Sequence, residues 1–479
     1  MLTGKNLEKI LNSWNERAED DDVAFYKEHW EKKLKDGKKC FVIGRKGSGK
    51  TALCNHINSG VQRSTIVTFE NFNANYLKQI SELKSGPGQA ALGKNLWKLL
   101  IYSQVYLMIV QNKDTHSVYE DEEIAAIIGE LYPHITTKSC VPISSFNIQA
   151  LGAGVGFKIR EKKGVSVDQA IKKLDDFLSV NLLDNPHNTL VYHVLFDKLD
   201  AEFIFREGDD ERDTYFALLS DLFDTILAVR RHFASTIGPR IHCIAFLRDD
   251  LYDELRNPLK ATWENELVRI AWHKDELKEI LAYRLGVVLN MQETPFDDIW
   301  STVVHPASKT QADKLFSKIL FQTQLRPRDF VLYIKIMAEK MYYEVKNSDA
   351  KQIAVTERII NNASREYSHR LRDHIIDEYL PHFDKLEEAI GLLDCCESKA
   401  FDYSSAERAF GTFCRQNHLT VSDLLEKLYN CNVIGILSIN PSHGIRYKYS
   451  NDSHFYRGID VEYRIHEGLV KAVFQKGVR

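Results

Sequence analysis

Apolar positions recur along this chain with two different periods. Leu2, Leu7, Ile10, Leu11 and Trp14 return at helical spacing, so residues 2–36 are predicted to be helical. The run from Lys39 to Gly44 is apolar without alternation, as in a strand buried on both faces. Ser64–Phe69, Thr189–Phe196 and Arg240–Leu247 have the same character. Helical periodicity near 167–181 and 213–233 separates the later strands, and Arg206–Arg212 reads as a polar loop. Short apolar strands alternating with helices predict a parallel sheet covered on both faces.

Between about 73 and 165 that rhythm breaks. This insertion holds a polar turn at Ser85–Gly88, a long helix near 91–111 and an acidic helix near 120–131. It ends in two alternating runs, Phe146–Ala150 and Phe157–Arg160, which Gly152–Gly156 joins as a hairpin. Beyond about 256 the pattern is helical, over 275–289, 313–321, 327–345 and 354–379, with no buried strand expected for two hundred residues. Near the end, helix Val421–Leu428 precedes strands from Ile434 and from Ile445, joined at Asn440–Gly444. Helix followed by hairpin predicts a winged-helix-like domain.

With 479 residues the chain exceeds one ordinary core. Apolar residues at 44% and charged residues at 27% give a globular composition, and 11 Pro argue against long disordered linkers. The net charge of −4 excludes a uniformly basic polyanion binder and leaves a local basic face open. The polar, acidic start carries no apolar leader. Leu96–Val110, the longest apolar stretch, is interrupted by Lys98, Ser103 and Gln104, so a buried helix is expected and no membrane span. The 8 Cys are scattered apart from Cys395–Cys396, with no CxxC, which predicts no disulfide or zinc framework and a reducing cytoplasm.

Gly44-Arg-Lys-Gly-Ser-Gly-Lys-Thr51 matches the phosphate-loop pattern GxxxxGK[ST] at every specified position, between a buried strand and a helix. Gly44, Gly47 and Gly49 let successive backbone N–H groups, with Ser48, point into one concavity at a helix N-terminus. Lys50 is expected to reach the β- and γ-phosphates, and the Thr51 hydroxyl to ligate Mg²⁺. Asp197, at the end of a second buried strand, suits a carboxylate that holds Mg²⁺. Asp200 or Glu202 is placed to polarise an attacking water, or else belongs to a solvated loop. Arg248, ending the next strand, either faces the γ-phosphate or pairs with Asp249 or Asp250. Arg326-Pro-Arg-Asp329 opens a helix, so Arg326 and Arg328 either lean over the nucleotide or form a helix-start ion pair. His369 and His374 are five apart and read as surface residues. No nuclease, protease or deaminase constellation stands out.

In this order the motifs resemble those of bacterial AAA+/STAND-type P-loop ATPases, which recur in anti-phage defence and signalling loci. The likeness runs from Gly44–Leu53 through Leu195–Asp200, Phe246–Tyr252, Trp272–Arg284 and Arg326–Phe330 to Tyr463–Leu469. It implies ATP as the nucleotide, with Mg²⁺, a helical lid and a C-terminal winged helix. It also implies a homo-oligomer and a partner effector, often a nuclease. Where related proteins carry DGLDE, this chain has Lys198 for Gly and Ala201 for Glu. Asp200 is left as the candidate base, and slow or assembly-dependent hydrolysis is expected.

The expected architecture is therefore an α/β P-loop NTPase core with a parallel sheet and helices on both faces, then an all-helical lid and a winged-helix-like domain. The expected bounds are 1–38 for an N-terminal helical segment, 39–255 for the core, 256–350 for the lid, and 351–479 for a helical linker and the last domain. The expected function is an ATP-hydrolysing switch controlling a partner; a non-hydrolysing ATP-gated scaffold and a DNA-remodelling ATPase are the alternatives. For the last, residues 445–479 offer Arg446, Lys448, Arg457, Arg464, Lys471, Lys476 and Arg479, interleaved with Tyr447, Tyr449, Phe455 and Tyr456.

Overall fold

The structure is a computed structural model. It describes residues 1–14, 28–68, 92–114, 122–132, 140–142, 165–185, 189–200, 209–236, 238–306, 308–437, 444–450 and 461–474. The chain divides into two compact units, Tyr26–Ile270 and a second made of Met1–Phe25 with Ala271–Arg479.

The first unit contains, in chain order, α2 (Glu28–Lys35), β2 (Phe41–Gly44), α3 (Lys50–Gly60) and β3 (Ser64–Thr68), numbered after β1 (Leu2–Thr3) and α1 (Gly4–Ser13) of the other unit. Then come α4 (Leu92–Gln111), α5 (Glu122–Leu131), β4 (Cys140–Pro142), α6 (Val167–Leu182), β5 (Tyr192–Asp197) and α7 (Asp210–His232). A hairpin of β6 (Ala234–Ser235) and β7 (Gly238–Pro239) leads into β8 (Ile241–Arg248), α8 (Asp249–Glu254), α9 (Lys260–Glu264) and β9 (Leu267–Ile270). Six of these strands form one parallel sheet in the order β4-β3-β5-β8-β2-β9.

Why this sheet forms is visible in its side chains. Strands β2, β5 and β8 are buried along their whole length, which is why they read as continuous apolar runs. On one face Phe41 stacks on Phe223 of α7, with ring centroids 4.2 Å apart. The apolar helix α4 is buried nearly all round, and its Trp97 donates to the Leu218 carbonyl at 2.9 Å. Its polar interruptions are satisfied inside: Ser103 and Gln104 both meet the buried Tyr132 hydroxyl, at 2.9 and 2.7 Å. No helix among the described residues is long and apolar enough to cross a membrane.

Two expectations change here. Strand β9 lies beyond 256, where no buried strand was expected, and pairs in parallel with β2 from Phe41↔Leu267 to Gly44↔Ile270. It is an edge strand of four residues with Arg269 exposed, so it lacks the long apolar run of a central strand. Helix α7 begins at Asp210, inside the segment read as a loop, because three acidic residues occupy its first turn, where the helix dipole favours them. The runs Phe146–Ala150 and Phe157–Arg160, the glycines between them and the turn Ser85–Gly88 lie outside the described residues.

The second unit begins with β1 (Leu2–Thr3) and α1 (Gly4–Ser13) and resumes with α10 (Lys274–Leu289), α11 (Phe296–Val303), α12 (Lys309–Gln322) and α13 (Pro327–Lys346). It continues through β10 (Gln352–Ile353), α14 (Glu357–Tyr379) and α15 (Leu386–Gly391). Strand β1 pairs antiparallel with β10, and α1 buries Leu7 and Ile10 on this unit's helices. The helix expected over 2–36 is thus shared between units: α1 starts at a Thr3–Asn6 capping box in one, and α2 lies in the other. The unit ends in β11 (Ala400–Phe401), α16 (Tyr403–Gln416), α17 (Val421–Asn430), β12 (Ile434–Leu437), β13 (Ile445–Arg446), β14 (Glu462–Ile465) and α18 (Val470–Val473). Its small antiparallel sheet has the order β11-β14-β12-β13.

Candidate nucleotide-binding site

Strand β2 ends at Gly44 and the chain turns through Arg45–Gly49 into α3. Gly47 and Gly49 take φ of 77° and 94°, left-handed values that disfavour any side chain. Gly44 is needed for space: a Cβ there would lie 2.7 Å from Ser48 Oγ and 3.1 Å from Ile270 Cβ. The three glycines thus close the loop into a cradle at the N-terminus of α3.

Lys50 is the first residue of α3 and is buried. Its ammonium donates to the Gly44 carbonyl at 2.8 Å and the Arg45 carbonyl at 3.1 Å. Among the described residues it forms no ion pair. Its hydrogen bonds go to neutral carbonyls and the Asp197 carboxylate acts on it only through space, so an anion in the cradle would supply the direct ionic partner it lacks among the described residues.

Asp197 ends β5 and is buried. Burial, reinforced by the negative charge of Asp200, pushes its carboxyl up to about 6; the Lys198 backbone N–H, the Thr51 hydroxyl and the Lys50 charge oppose that rise. A Thr51 hydroxyl on a buried carboxylate is a donor set that suits a divalent cation. Lys198 holds φ at 53°, a left-handed value that favours glycine.

Between the strands of the cradle and of Asp197 lies β8, which ends in Arg248. Arg248 is buried, binds Asp250 with two nitrogens (Nε–Oδ1 3.0 Å) and lies 3.7 Å from Asp200 Oδ2. Asp197, Asp200 and Arg248 therefore stand together, with the guanidinium committed to carboxylates. Glu202 lies outside the described residues. Thr68, which the motifs do not single out, sits opposite Asp197 in register. Its hydroxyl is buried with no hydrogen bond among the described residues. The only signal for it was a polar residue closing a buried strand.

Arg326 and Arg328 belong to the other unit. Arg326 is buried, its Nε donating to Asp329 at 2.5 Å and its Nη1 to Glu378 at 2.8 Å. Both carboxylates hold the guanidinium well above its ordinary range despite burial, which opposes them. Arg326 thus forms the helix-start pair with Asp329, joined by Glu378 from α14. Arg328 is half-buried, forms no ion pair among the described residues, and keeps a buried Nε without a hydrogen bond.

The sheet order, with β8 between the cradle strand and the Asp197 strand, and the loop at its edge define an α/β P-loop NTPase core, followed by a helical domain. Residues 275–376, holding α10 to α13 and most of α14, match the FunZ-associated C-terminal helical domain. Among solved structures, the Walker-type ATPase PABY2304 of Pyrococcus abyssi is 14% identical, with 97% of this chain and 99% of that one covered and a TM-score of 0.40. Cdc6p from Pyrobaculum aerophilum is 12% identical, covering 95% and 97%, with a TM-score of 0.29. Drosophila ORC bound to DNA is 12% identical, covering 92% and 81%, with a TM-score of 0.30. No curated protein matches the chain.

Proposed function

We propose that this chain is an ATP-dependent switch that hydrolyses its nucleotide slowly and controls the assembly or activity of a partner. The observation that carries the reading is the buried Lys50 ammonium, bonded to two carbonyls and in no ion pair among the described residues, beside a Thr51–Asp197 pair. Gly44, Gly47, Ser48, Gly49 and Lys50 would hold the phosphates of ATP, and Thr51 with Asp197 would hold Mg²⁺. The metal supplies neutralisation of phosphate charge. Lys50 exchanges its carbonyl partners for phosphate oxygens. Asp200 orients and deprotonates the attacking water, and its contact with Arg248 ties that role to the end of β8. Arg328, half-buried and in no ion pair among the described residues, is the better of the two arginines for the expected nucleotide contact.

Asp200 shares its guanidinium partner with Asp250, and Ala201 offers no carboxylate, which favours slow turnover and keeps the non-hydrolysing scaffold as a second reading. The wider setting we propose is a cytoplasmic homo-oligomer working with an effector such as a nuclease, in anti-phage defence, with nucleic acid as a further partner of the C-terminal, winged-helix-like domain. The test measures particle mass with and without ATP·Mg²⁺, and phosphate release by wild type and Asp200→Asn. The switch predicts nucleotide-dependent mass and release that falls at least about 100-fold in the variant, the scale of a lost general base. No release under any condition, with nucleotide bound, selects the scaffold.

A further inference from the structure

We infer that the helical unit carries a track for the phosphate backbone of duplex DNA on the seam of α12, α14 and α18, contacted by Lys314, Lys318, Arg365 and Lys471. The inference takes up the nucleic-acid reading and moves it off the β-hairpin. In the hairpin Tyr447 is buried and stacks on Tyr449 at 5.1 Å, and both rings pack against His466. Tyr447 is core and offers bases no platform, and Tyr449 is half-buried against it. Arg464 lies 3.6 Å from Glu467. Phe455, Tyr456, Arg457, Lys476 and Arg479 lie outside the described residues.

On the seam, cations from three elements converge. Lys471 of α18 reaches α14, donating to the Asn361 carbonyl at 2.8 Å and to the Ser364 hydroxyl. Burial first, then the charges of Lys318 and Arg365, hold its ammonium below the usual range, with Glu467 opposing. Lys314 lies one turn before Lys318 on α12, and Lys274 reaches Ser317 between them at 3.0 Å. Lys318 shares Glu357, whereas Lys274, Lys314, Arg365 and Lys471 form no ion pair among the described residues. Gathered like charges repel unless a polyanion neutralises them.

The seam is also built to hold its shape. Gly468 lets the segment before α18 close onto α12, since a Cβ there would fall 2.1 Å from the Gln322 carbonyl oxygen. A shallow groove of about 730 Å³ on α12 is lined by Lys309, Asp313, Lys314, Ser317, Lys318 and Phe321, and Phe321 is 49% exposed beside the lysines. Helix α12 has 14 residues. At ~1.5 Å per residue it spans about 21 Å, or roughly six base-pair steps of a duplex at ~3.4 Å axial rise.

The experiment uses the full chain without nucleotide and a fluorescent 30-base-pair duplex of arbitrary sequence, titrated from about 50 to 200 mM salt. Wild type is expected to bind with a log–log salt slope of about −3 to −4, given ~0.9 per phosphate contact. Lys314→Ala with Arg365→Ala, both exposed positions, is expected to weaken binding roughly tenfold or more and to reduce the slope by about 1.8, with an unchanged melting midpoint. Lys50→Ala is expected to keep full DNA binding, so a failure of the P-loop reading leaves this result intact. No duplex binding by wild type at 50 mM salt overturns the inference. So does an unchanged slope in the double variant, or binding only to vesicles containing phosphatidylserine.

Discussion

Replacing Arg326 by Ala separates structural from nucleotide-binding roles in the Arg-Pro-Arg segment. Its guanidinium is buried between Asp329 and Glu378, themselves buried. Removing it strands two carboxylates away from water. Breaking one buried pair this way costs about 3–5 kcal/mol, against a domain stability of ~5–15 kcal/mol. Arg326→Ala is therefore expected to lower the unfolding free energy of the helical unit by at least about 3 kcal/mol, read by urea denaturation. Arg328→Ala removes a half-buried side chain with no ion pair among the described residues and should cost about 1 kcal/mol or less; the proposed function predicts that its effect is on nucleotide affinity instead. Replacing the triad together, Arg326→Met, Asp329→Asn and Glu378→Gln, should recover most of the loss, because no charge is then left buried. Unchanged stability in Arg326→Ala together with weakened nucleotide binding would refute this assignment.

Buried His193 and His242 face each other across β5 and β8, ring centroids 5.3 Å apart. Burial pushes them down to about 4 and about 3, so both are neutral when folded. Unfolded imidazoles titrate near ~6.5, so between about pH 6.5 and 4 the unfolded chain binds more protons. Stability should be complete above pH 6.5 and fall on acidification by up to about 1.4 kcal/mol per pH unit per histidine; His193→Gln with His242→Gln should flatten that slope. Gly468→Ala places a methyl 2.1 Å from the Gln322 oxygen and 2.7 Å from Leu371 Cδ2. Overpacking of this kind costs about 1–3 kcal/mol, read as a lower melting midpoint. Lys198→Gly relieves a left-handed residue and should raise stability by up to about 1 kcal/mol in the same assay.

The site was legible where covalent geometry dictates residue type. Glycines at left-handed φ and a lysine at a helix start cannot be exchanged freely, so Gly44–Thr51 showed itself. Asp197 was legible because it closes a run buried on both faces. Arg326 was ambiguous because Glu378, the partner that helps bury it, lies 52 residues away. Strand β9 escaped because an edge strand carries half the apolar signal of a central one. Tyr447 was ambiguous because aromatic and basic residues alternate equally in a core turned inward and in a nucleic-acid surface turned outward. Helix α1 was visible as a helix, but no local pattern tells that it belongs with residues 271–479.

Titration calorimetry of ATP into the full chain, with and without Mg²⁺, against Lys50→Ala tests the central claim most directly. Charge-assisted hydrogen bonds of the ammonium to phosphate, at about 1.5–3 kcal/mol, predict binding weakened roughly 10- to 150-fold in the variant. The apo fold should lose little, because among the described residues the ammonium hydrogen-bonds only two carbonyls. Wild-type binding that Mg²⁺ strengthens and Lys50→Ala weakens is the predicted result; equal affinity in both proteins, or no heat from wild type, contradicts the account.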